Sequence, residues 1–554
     1  MKMEHVEMLF QFAGGLGMFL YGMNVMADGL QKSAGGRMKN LLGVLTRNRF
    51  LGILVGAAVT ALIQSSSAAT VMVVGFVNAG ILNLTQAVGV IMGANIGTTV
   101  TAWIVSMSEW GSVLKPEFFA PLLIGIGAFL MLSGKKEKTG EWSEILIGFG
   151  ILFIGLSFMS GAVTPYRDAP IFAEAFRILG GNPVLGILTG LAVTALIQSS
   201  SASVGILQTL AQNGVVTWSS AVYITLGQNI GTCVTALLSS LGAQRTAKRA
   251  AVIHLLFNVM GAVVFGVFMF GVFSFHQALG KTGISSVGIS VFHTIFNITN
   301  TLLLYPLAGW LVHLSDVLVK GADVPEEKET YALPHLDERI LETPSFAVES
   351  AVKEAVRMGE LSLRHAEMAF EAVRTGNRTR VDKAFQIEET MNEYERQMVE
   401  YLAKISRISL TDQQRQVVGN LIYTVNDVER MSDHCDNIAE LAEEMIQKGL
   451  SFSMEAARGF DEIASLTLDV MKAAVLARQT ERMAYVQQAV QLEDEIDELE
   501  EELRTEHMDR LSRNQCSAAK GVVFLDMLSN MERISDHANN IAGYVADERE
   551  EWDD

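Results

Sequence analysis

The chain has 554 residues, of which 49% are hydrophobic and only 19% charged, with a mean hydropathy of +0.29. Residues 1–325 carry 12 acidic and 17 basic side chains, whereas residues 326–554 carry 49 and 25. A weakly basic apolar half is thus joined to a strongly acidic soluble half, which excludes a single globular domain and gives no footing for nucleic-acid binding.

The first apolar run, Met8–Met26, leads into a basic loop and reads as a membrane span rather than a cleaved leader. Further apolar runs follow near 51–82, 84–107, 118–133, 144–162, 185–212, 217–241, 250–273 and 286–313. Two of them repeat: Leu51–Ala68 reads LGILVGAAVTALIQSSSA and Leu185–Ala202 reads LGILTGLAVTALIQSSSA, an offset of 134. At that offset Gly93–Thr98 (GANIGT) falls opposite Gly227–Thr232 (GQNIGT); upstream, Gly15–Met23 has a weaker echo in Gly148–Leu156, at an offset of 133. The expected units are about 8–107 and 144–242, followed by helices over 250–313.

Loop charge assigns their orientation. Connector 31–50 carries Lys32, Arg37, Lys39, Arg47 and Arg49 without an acid, while its counterpart 163–183 balances Arg167 and Arg177 with Asp168 and Glu174. The bias is opposite after the units: 107–118 has one Lys against two Glu, and 240–250 has Arg245, Lys248 and Arg249. By the positive-inside rule the units are inverted, with the 134–141 loop and the tail in the cytoplasm. Inverted repeats typify secondary transporters that bind substrate near the midplane.

From Phe50 to Ser108 and from Ile178 to Gln244 there is no Asp, Glu, Lys or Arg. These stretches nevertheless hold Gln64, Ser65, Ser66, Ser67 and Gln198, Ser199, Ser200, Ser201, with Asn95, Thr98, Thr99, Thr101, Asn229, Thr232 and Thr235. Four consecutive polar residues cannot share one helix face, so a broken or re-entrant helix lining a cavity is expected there. Polar glue between helices is the bland alternative. Hydroxyl and amide groups fit a small cation such as sodium, and exposed helix-start N–H groups fit an oxyanion. With no basic residue at hand, a doubly charged anion needs co-bound cations to offset desolvation. A second duplication, His254-Leu-Leu-Phe-Asn258 and His293-Thr-Ile-Phe-Asn297, suits either helix packing or a place beside the path.

The paired QSSS segments, the GANIGTTVT and GQNIGTCVT strings and the two HxxFN pairs resemble the type II sodium–phosphate cotransporters over roughly residues 8–313. The resemblance implies sodium-driven symport of inorganic phosphate across the plasma (inner) membrane by a multi-pass carrier, with an elevator-like or rocking mechanism and no cofactor beyond co-transported sodium. It places phosphate and sodium at Gln64–Ser67 and Gln198–Ser201, and sodium ligands at Thr232 and Thr235 with Asn229 nearby. Asn95, Thr98 and Thr101 follow by internal symmetry. Gln228 stands where animal relatives have serine, which leaves the sodium stoichiometry open.

Residues 325–343 read as a linker, and the tail 344–554 as six helices near 344–375, 378–408, 412–448, 453–479, 481–511 and 514–549. Thr343-Pro344 is read as an N-cap with Pro at N1, and Thr411–Gln414 as a capping box. The tail also repeats: Val428–His434 is echoed by Met531–His537 at offset 103, and Gln386–Glu395 by Gln491–Glu500 at offset 105. Two three-helix bundles are expected. Glu429/Asp433 and Glu532/Asp536 are i,i+4 pairs that could hold metal across a pseudo-dyad or form solvated acidic faces beside Arg430 and Arg533. The tail resembles the PhoU phosphate-signalling domain, with Ser432 and Ser535 replacing glycine in its ERxGDHxxNIA string. That resemblance implies metal at these acids, a regulatory role and phosphate-signalling partners.

The whole is therefore read as all-α: membrane residues 1–324, linker 325–343 and a cytoplasmic PhoU-like domain 344–554. Cys233, Cys435 and Cys516 lack metal or disulfide spacing and read as small buried residues. No nucleophile–base pair or phosphate loop points to an enzyme. Two alternatives stand beside sodium–phosphate symport: a phosphate exporter or sodium-independent carrier of another oxyanion, and a non-transporting membrane regulator. A homo-oligomer is compatible with each, and membrane lipid is the common surround.

Overall fold

A computed structural model describes residues 2–45, 48–110, 115–133, 137–166, 170–321, 336–513 and 515–553. Arg47, Arg167, Asp168, residues 134–136 and most of the 325–343 stretch lie outside the described residues. The described chain is all-helical; its β-type pairing is an isolated bridge, Thr217 to Gly283. It divides into two units: the membrane half together with Asp337–Ser345, and the tail from Phe346.

In the first unit α1 (Lys2–Leu45) runs on through most of the expected connector. It is followed by α2 (Arg49–Ile63), α3 (Ser66–Asn78), α4 (Leu84–Gly97), α5 (Thr99–Ser106), α6 (Pro116–Ser133) and α7 (Glu137–Val163). Then come α8 (Pro170–Gly181), α9 (Pro183–Ile197), α10 (Ser200–Gln212), α11 (Trp218–Ser239), α12 (Arg245–Phe275), α13 (Gln277–Lys281), α14 (Ser286–Leu304) and α15 (Ala308–Leu318). Among the described residues seven helices are long and apolar enough to cross a membrane, and an eighth span arises if α8 and α9, bent by 112°, count as one. The apolar runs 51–82 and 185–212 are each two short helices rather than one span. At 1.5 Å per residue, 15 residues of α2 reach about 22 Å, short of ~30 Å of hydrocarbon.

Glycines set how these helices meet. A Cβ on Gly15 would lie 2.8 Å from the Gly155 carbonyl oxygen, and one on Gly22 would lie 2.6 Å from that of Gly148. Residue numbers rise along α1 as they fall along α7, so the two helices are antiparallel. Gly15 and Gly148 are repeat mates, as are Gly22 and Gly155, so the two contacts exchange under a local two-fold operation. Phe19, Met23, Leu152 and Phe153 fill this seam. The other glycine contact is parallel: Gly93 and Gly97 of α4 press on Ile53 and Ala57 of α2, and Gly227 and Gly231 of α11 press on Ile187 and Leu191 of α9. All four pairs are shifted by 134, so both units are built alike.

The last part of the expected linker is structured. A 3-10 turn over Glu338–Glu342 packs against α3, with Ile340 fully buried beside Gly75. Asn78 Nδ2 donates to Asp337 Oδ2 (2.7 Å), and Asn78 Oδ1 accepts from the Gln244 N–H (2.8 Å). Arg339 donates to Asp337 Oδ2 (2.8 Å) and to the Ser239 carbonyl (2.6 Å). The end of α3 is thereby tied to the α11–α12 junction.

The tail comprises α16 (Pro344–Thr375), α17 (Arg378–Ile405), α18 (Asp412–Lys448), α19 (Met454–Thr480), α20 (Met483–Ser512) and α21 (Ala518–Asp553). The Thr411–Gln414 capping box forms, and left-handed Gly376 and Gly449 end α16 and α18. Thr343 differs from expectation. Its buried hydroxyl bonds nothing, so the start of α16 rests on the fixed φ of Pro344 rather than a side-chain cap. α18 and α21 cross antiparallel: His434 Nδ1 lies 2.8 Å from Asn530 Oδ1, and His537 Nδ1 lies 2.8 Å from Asp427 Oδ1. These are repeat mates at offset 103, and the two imidazoles stack at the pseudo-dyad, 5.8 Å apart.

Candidate functional site

Each QSSS string makes the same break. Gln64 (φ 56°) and Gln198 (φ 55°) take the left-handed conformation that ends α2 and α9. For a non-glycine residue this costs roughly 1–2 kcal/mol, and it occurs here at matched positions. The next serine caps the following helix: Ser65 Oγ accepts from the Ala68 N–H (3.1 Å), and Ser199 Oγ from the Ala202 N–H (3.2 Å). Ser66 and Ser200 are thus the first residues of α3 and α10. Both are buried, and their hydroxyl oxygens lie 3.2 Å apart.

Two helix N-termini therefore converge where the units meet. The first amides of α3 and α10 have no intrahelical carbonyl, and each macrodipole is positive at this end. Such a place favours an oxyanion. The carboxylate of Glu109, just beyond the charge-free stretch, accepts the Ser286 and Val287 N–H groups (3.0 and 3.2 Å) and so caps α14.

The other nominated residues divide. Thr101 Oγ1 donates to Gln64 Oε1 (3.0 Å), bringing both into the buried first-unit site. Asn95, Thr98, Asn229 and Thr232 are buried, but each donates to the carbonyl four residues earlier on its own helix. Ser201 is buried, while Ser65, Ser67 and Ser199 are half-buried. Gln198 is exposed and Thr235 half-buried, so the second unit lacks the closed Gln–Thr pair of the first. Gln228 Nε2 donates to the carbonyl and hydroxyl oxygens of Ser203 (both 2.9 Å), a link between α11 and α10 that sequence reasoning missed.

The Na+/Pi-cotransporter family profile matches residues 18–161 and 171–293, covering both QSSS and both NIGT strings. The chain belongs to this family. The PhoU domain profile matches 355–442 and 460–545, one copy per three-helix bundle. The chain is 24% identical over 546 residues to the "Putative inorganic phosphate export protein YjbB" of Escherichia coli (strain K12), which covers 98% of each chain. It is 30% identical over 311 residues to the uncharacterized protein YqeW of Bacillus subtilis (strain 168), covering 56% of this chain and 98% of that one. The human sodium-dependent phosphate transport protein 2B is 23% identical over 462 residues, covering 56% of this chain and 66% of the relative.

In the PhoU-like tail the expected acids are arranged differently from the two pairs anticipated. The pseudo-dyad is filled by His434 and His537, not by four carboxylates. Asp536 turns instead toward α20, where Glu493 and Asp497 bring carboxylate oxygens within 4.8 Å of its own. Burial raises the Glu493 and Asp497 carboxyls, and neighbouring carboxylates push them further. Glu532 is raised by burial and by Asp536, and Glu429 by burial and by Asp433. Arg533 lies 3.3 Å from Asp536 and Arg430 lies 4.0 Å from Glu429. Glu493 and Asp497 were not nominated, although the 105-residue repeat was their signal. In the first bundle the mates of Glu493 and Asp497 are Glu388 and Asn392. Burial pushes Glu388 up to about 7, opposed by a hydrogen bond from Ser432 (2.8 Å), which also lies 2.8 Å from buried His365 Nδ1.

Proposed function

We propose that the protein is a sodium-coupled carrier of inorganic phosphate in the plasma (inner) membrane, controlled by its cytoplasmic PhoU-like tail. The observation that carries this reading is the Ser66–Ser200 contact at two converging helix starts, in a chain of the Na+/Pi-cotransporter family. Phosphate would be held by the hydroxyls of Ser66 and Ser200 and the first amides of α3 and α10. Gln64, Ser65, Ser67, Thr101, Gln198, Ser199 and Ser201 complete the wall, with Asn95, Thr98, Asn229, Thr232 and Thr235 behind it. Because these helices carry no cation, sodium supplies the compensating charge. The antiparallel α1–α7 seam supports inverted units that rock about a central site.

Residues 1–324 form the carrier and 344–554 the tail, with Asp337–Glu342 of the 325–343 connector acting on α3. That turn holds the far end of the helix whose start carries Ser65–Ser67, so strain in the connector would reach the substrate helix directly. In the tail, Glu493, Asp497 and Asp536 offer the hard oxygen set suited to a divalent cation, with Glu532 beside them, while Glu429 and Asp433 lie with Glu388 in the first bundle. Metal bound by the full chain and lost in Asp536→Asn would support that assignment; metal-free wild-type protein would oppose it.

Phosphate export is the second reading. YjbB, named for phosphate export, matches this chain through carrier and tail alike, whereas the human sodium-dependent relative matches 56% of this chain. Radiolabelled phosphate flux in vesicles, with sodium gradients of either direction, separates the two.

A further inference from the structure

Helix α10 carries a buried amide that its repeat mate lacks. Gln208 is fully buried, and the same place on α3, 134 residues earlier, is Val74. Gln208 Nε2 donates to the Ala102 carbonyl on α5 (3.0 Å) and, on α14, to the Ser286 carbonyl (3.1 Å) and Ser290 Oγ (2.9 Å). Two of these acceptors are carbonyl oxygens, so the nitrogen of the amide must face them. Ser290 Oγ also donates to the Ala102 carbonyl (2.8 Å), and Trp103 Nε1 donates to Thr294 Oγ1 (3.0 Å), which ties α5 to α14 directly. One turn beyond Gln208, Gln212 donates to Ser108 Oγ, just past α5. One side chain thus joins three helices, and a valine at the mate position can make none of its bonds.

The acceptor helix is also the one that closes the other QSSS break. Thr101, next to Ala102, donates to Gln64 Oε1, so α5 holds the end of α2 through one residue and α10 through the next. Successive helix residues point about 100° apart, which lets α5 serve both neighbours. A ring of contacts results: Ser66 to Ser200 across the units, Ser200 to Gln208 along α10, Gln208 to Ala102, and Thr101 back to Gln64 beside the first serines. Gln208 lies two turns from Ser200, about 12 Å along one helix, so a shift of α10 against α5 is carried to the Ser200 hydroxyl. α10 is braced sideways as well, by Gln228 on Ser203, where the first unit has Ala94 and Ala69. At these three positions the second unit is polar where the first is apolar. A buried amide is costly unless its bonds form, so it fixes one register of the helices where an apolar side chain tolerates several.

We propose that Gln208 is a positioning residue of the serine pair, holding α10 against α5 and α14 so that Ser200 stays within reach of Ser66. This deepens the phosphate-carrier reading and rests on it for an effect on transport, but one arm of its test needs no phosphate. In the full chain carrying Ser66→Cys and Ser200→Cys, copper-phenanthroline oxidation should link the two thiols, read by mass spectrometry of the joined peptides. Adding Gln208→Met, which keeps the volume and removes the donors, should slow that linkage about tenfold. The second arm is radiolabelled phosphate flux in vesicles, where Gln208→Met should raise KM about tenfold and change maximal flux less than about threefold. In a Ser200→Ala background the same change should add less than about twofold, because the hydroxyl it positions is gone. An equal factor on KM with and without Ser200, or linkage at an undiminished rate in Gln208→Met, overturns the assignment. Thiols that fail to link before Gln208 is changed overturn it too, since no serine contact is then there to position. If Gln208→Met does not fold, Gln208→Asn, which withdraws the same amide by one carbon, carries both readouts. Slowed linkage in a protein that moves no phosphate would sink the carrier reading and leave the positioning role standing.

Discussion

Ser66 and Ser200 place their hydroxyl oxygens 3.2 Å apart although 134 residues separate them. That number is also the repeat offset, so the contact joins a residue to its own internal copy. A pseudo-two-fold relation between the two units would produce a self-pairing of this kind at its axis. The contact puts two helix starts of positive dipole at one buried point, on helices that carry no Lys or Arg.

If this pair holds phosphate, Ser66→Ala and Ser200→Ala should each reduce phosphate flux at least about tenfold. A lost hydrogen bond in a buried site is worth ~1–3 kcal/mol, enough for that factor. The double variant should be less than additive, because each single change already breaks the shared contact. Initial flux rates in vesicles, normalised to inserted protein, check this. Near-wild-type rates in both single variants would remove the pair from the site.

Glycine contacts between helices predict a different loss. Gly22→Ala and Gly93→Ala drive a methyl group into the backbone of α7 and α2 respectively. Each should destabilise the membrane unit by about 1–3 kcal/mol through overpacking. Gly17→Ala, where a Cβ meets nothing within 4 Å, should be neutral or slightly stabilising. Thermal unfolding in detergent distinguishes the three.

Truncation separates the connector from the tail. A chain ending after Thr343 keeps the Asn78–Asp337 and Arg339–Ser239 bonds, whereas one ending after Gly321 loses both. At roughly 0.5–1.5 kcal/mol per bond, the shorter chain should show altered basal flux, while the longer one should keep its basal flux and lose only the control the tail exerts. Asp337→Ala in the full chain should move in the same direction as the shorter truncation. Equal flux from both truncations would show that the turn is passive.

Much of this architecture is legible in the sequence, for definable reasons. Four adjacent polar residues inside an apolar run cannot stay helical on one face, so the breaks at Gln64 and Gln198 could be anticipated, and the 134-residue repeat paired them. What covers each glutamine is tertiary: the same QSSS string is closed by Thr101 in the first unit and open at Gln198 in the second. Asp337–Glu342 reads as linker because its proline-flanked mixed charge resembles solvated chain, while its anchor is the distant Asn78. The α20 carboxylates were hidden differently. Attention to i,i+4 spacing on α21 finds Glu532 and Asp536, but Asp536 finds its neighbours on another helix.

The tail should respond to pH through Glu388. Its folded carboxyl, pushed up to about 7 by burial, binds its proton more tightly than an unfolded glutamate with an ordinary value of 4.5. Stability from this group is therefore fully present below about pH 4.5 and lost as pH rises through 7. Glu388→Gln should flatten that part of the profile. Buried His365, held down to about 4, acts in the opposite sense, withdrawing stability as pH falls below 6.5. Thermal unfolding of the full chain from pH 5 to 8, wild type against Glu388→Gln, measures the difference.

The central claim is tested most directly by radiolabelled phosphate accumulation in proteoliposomes containing the full chain, under an inward sodium gradient and under an equal potassium gradient. Sodium-coupled transport predicts accumulation above equilibrium with sodium alone, abolished when the gradient is collapsed. Equal or absent accumulation under the two gradients would contradict it.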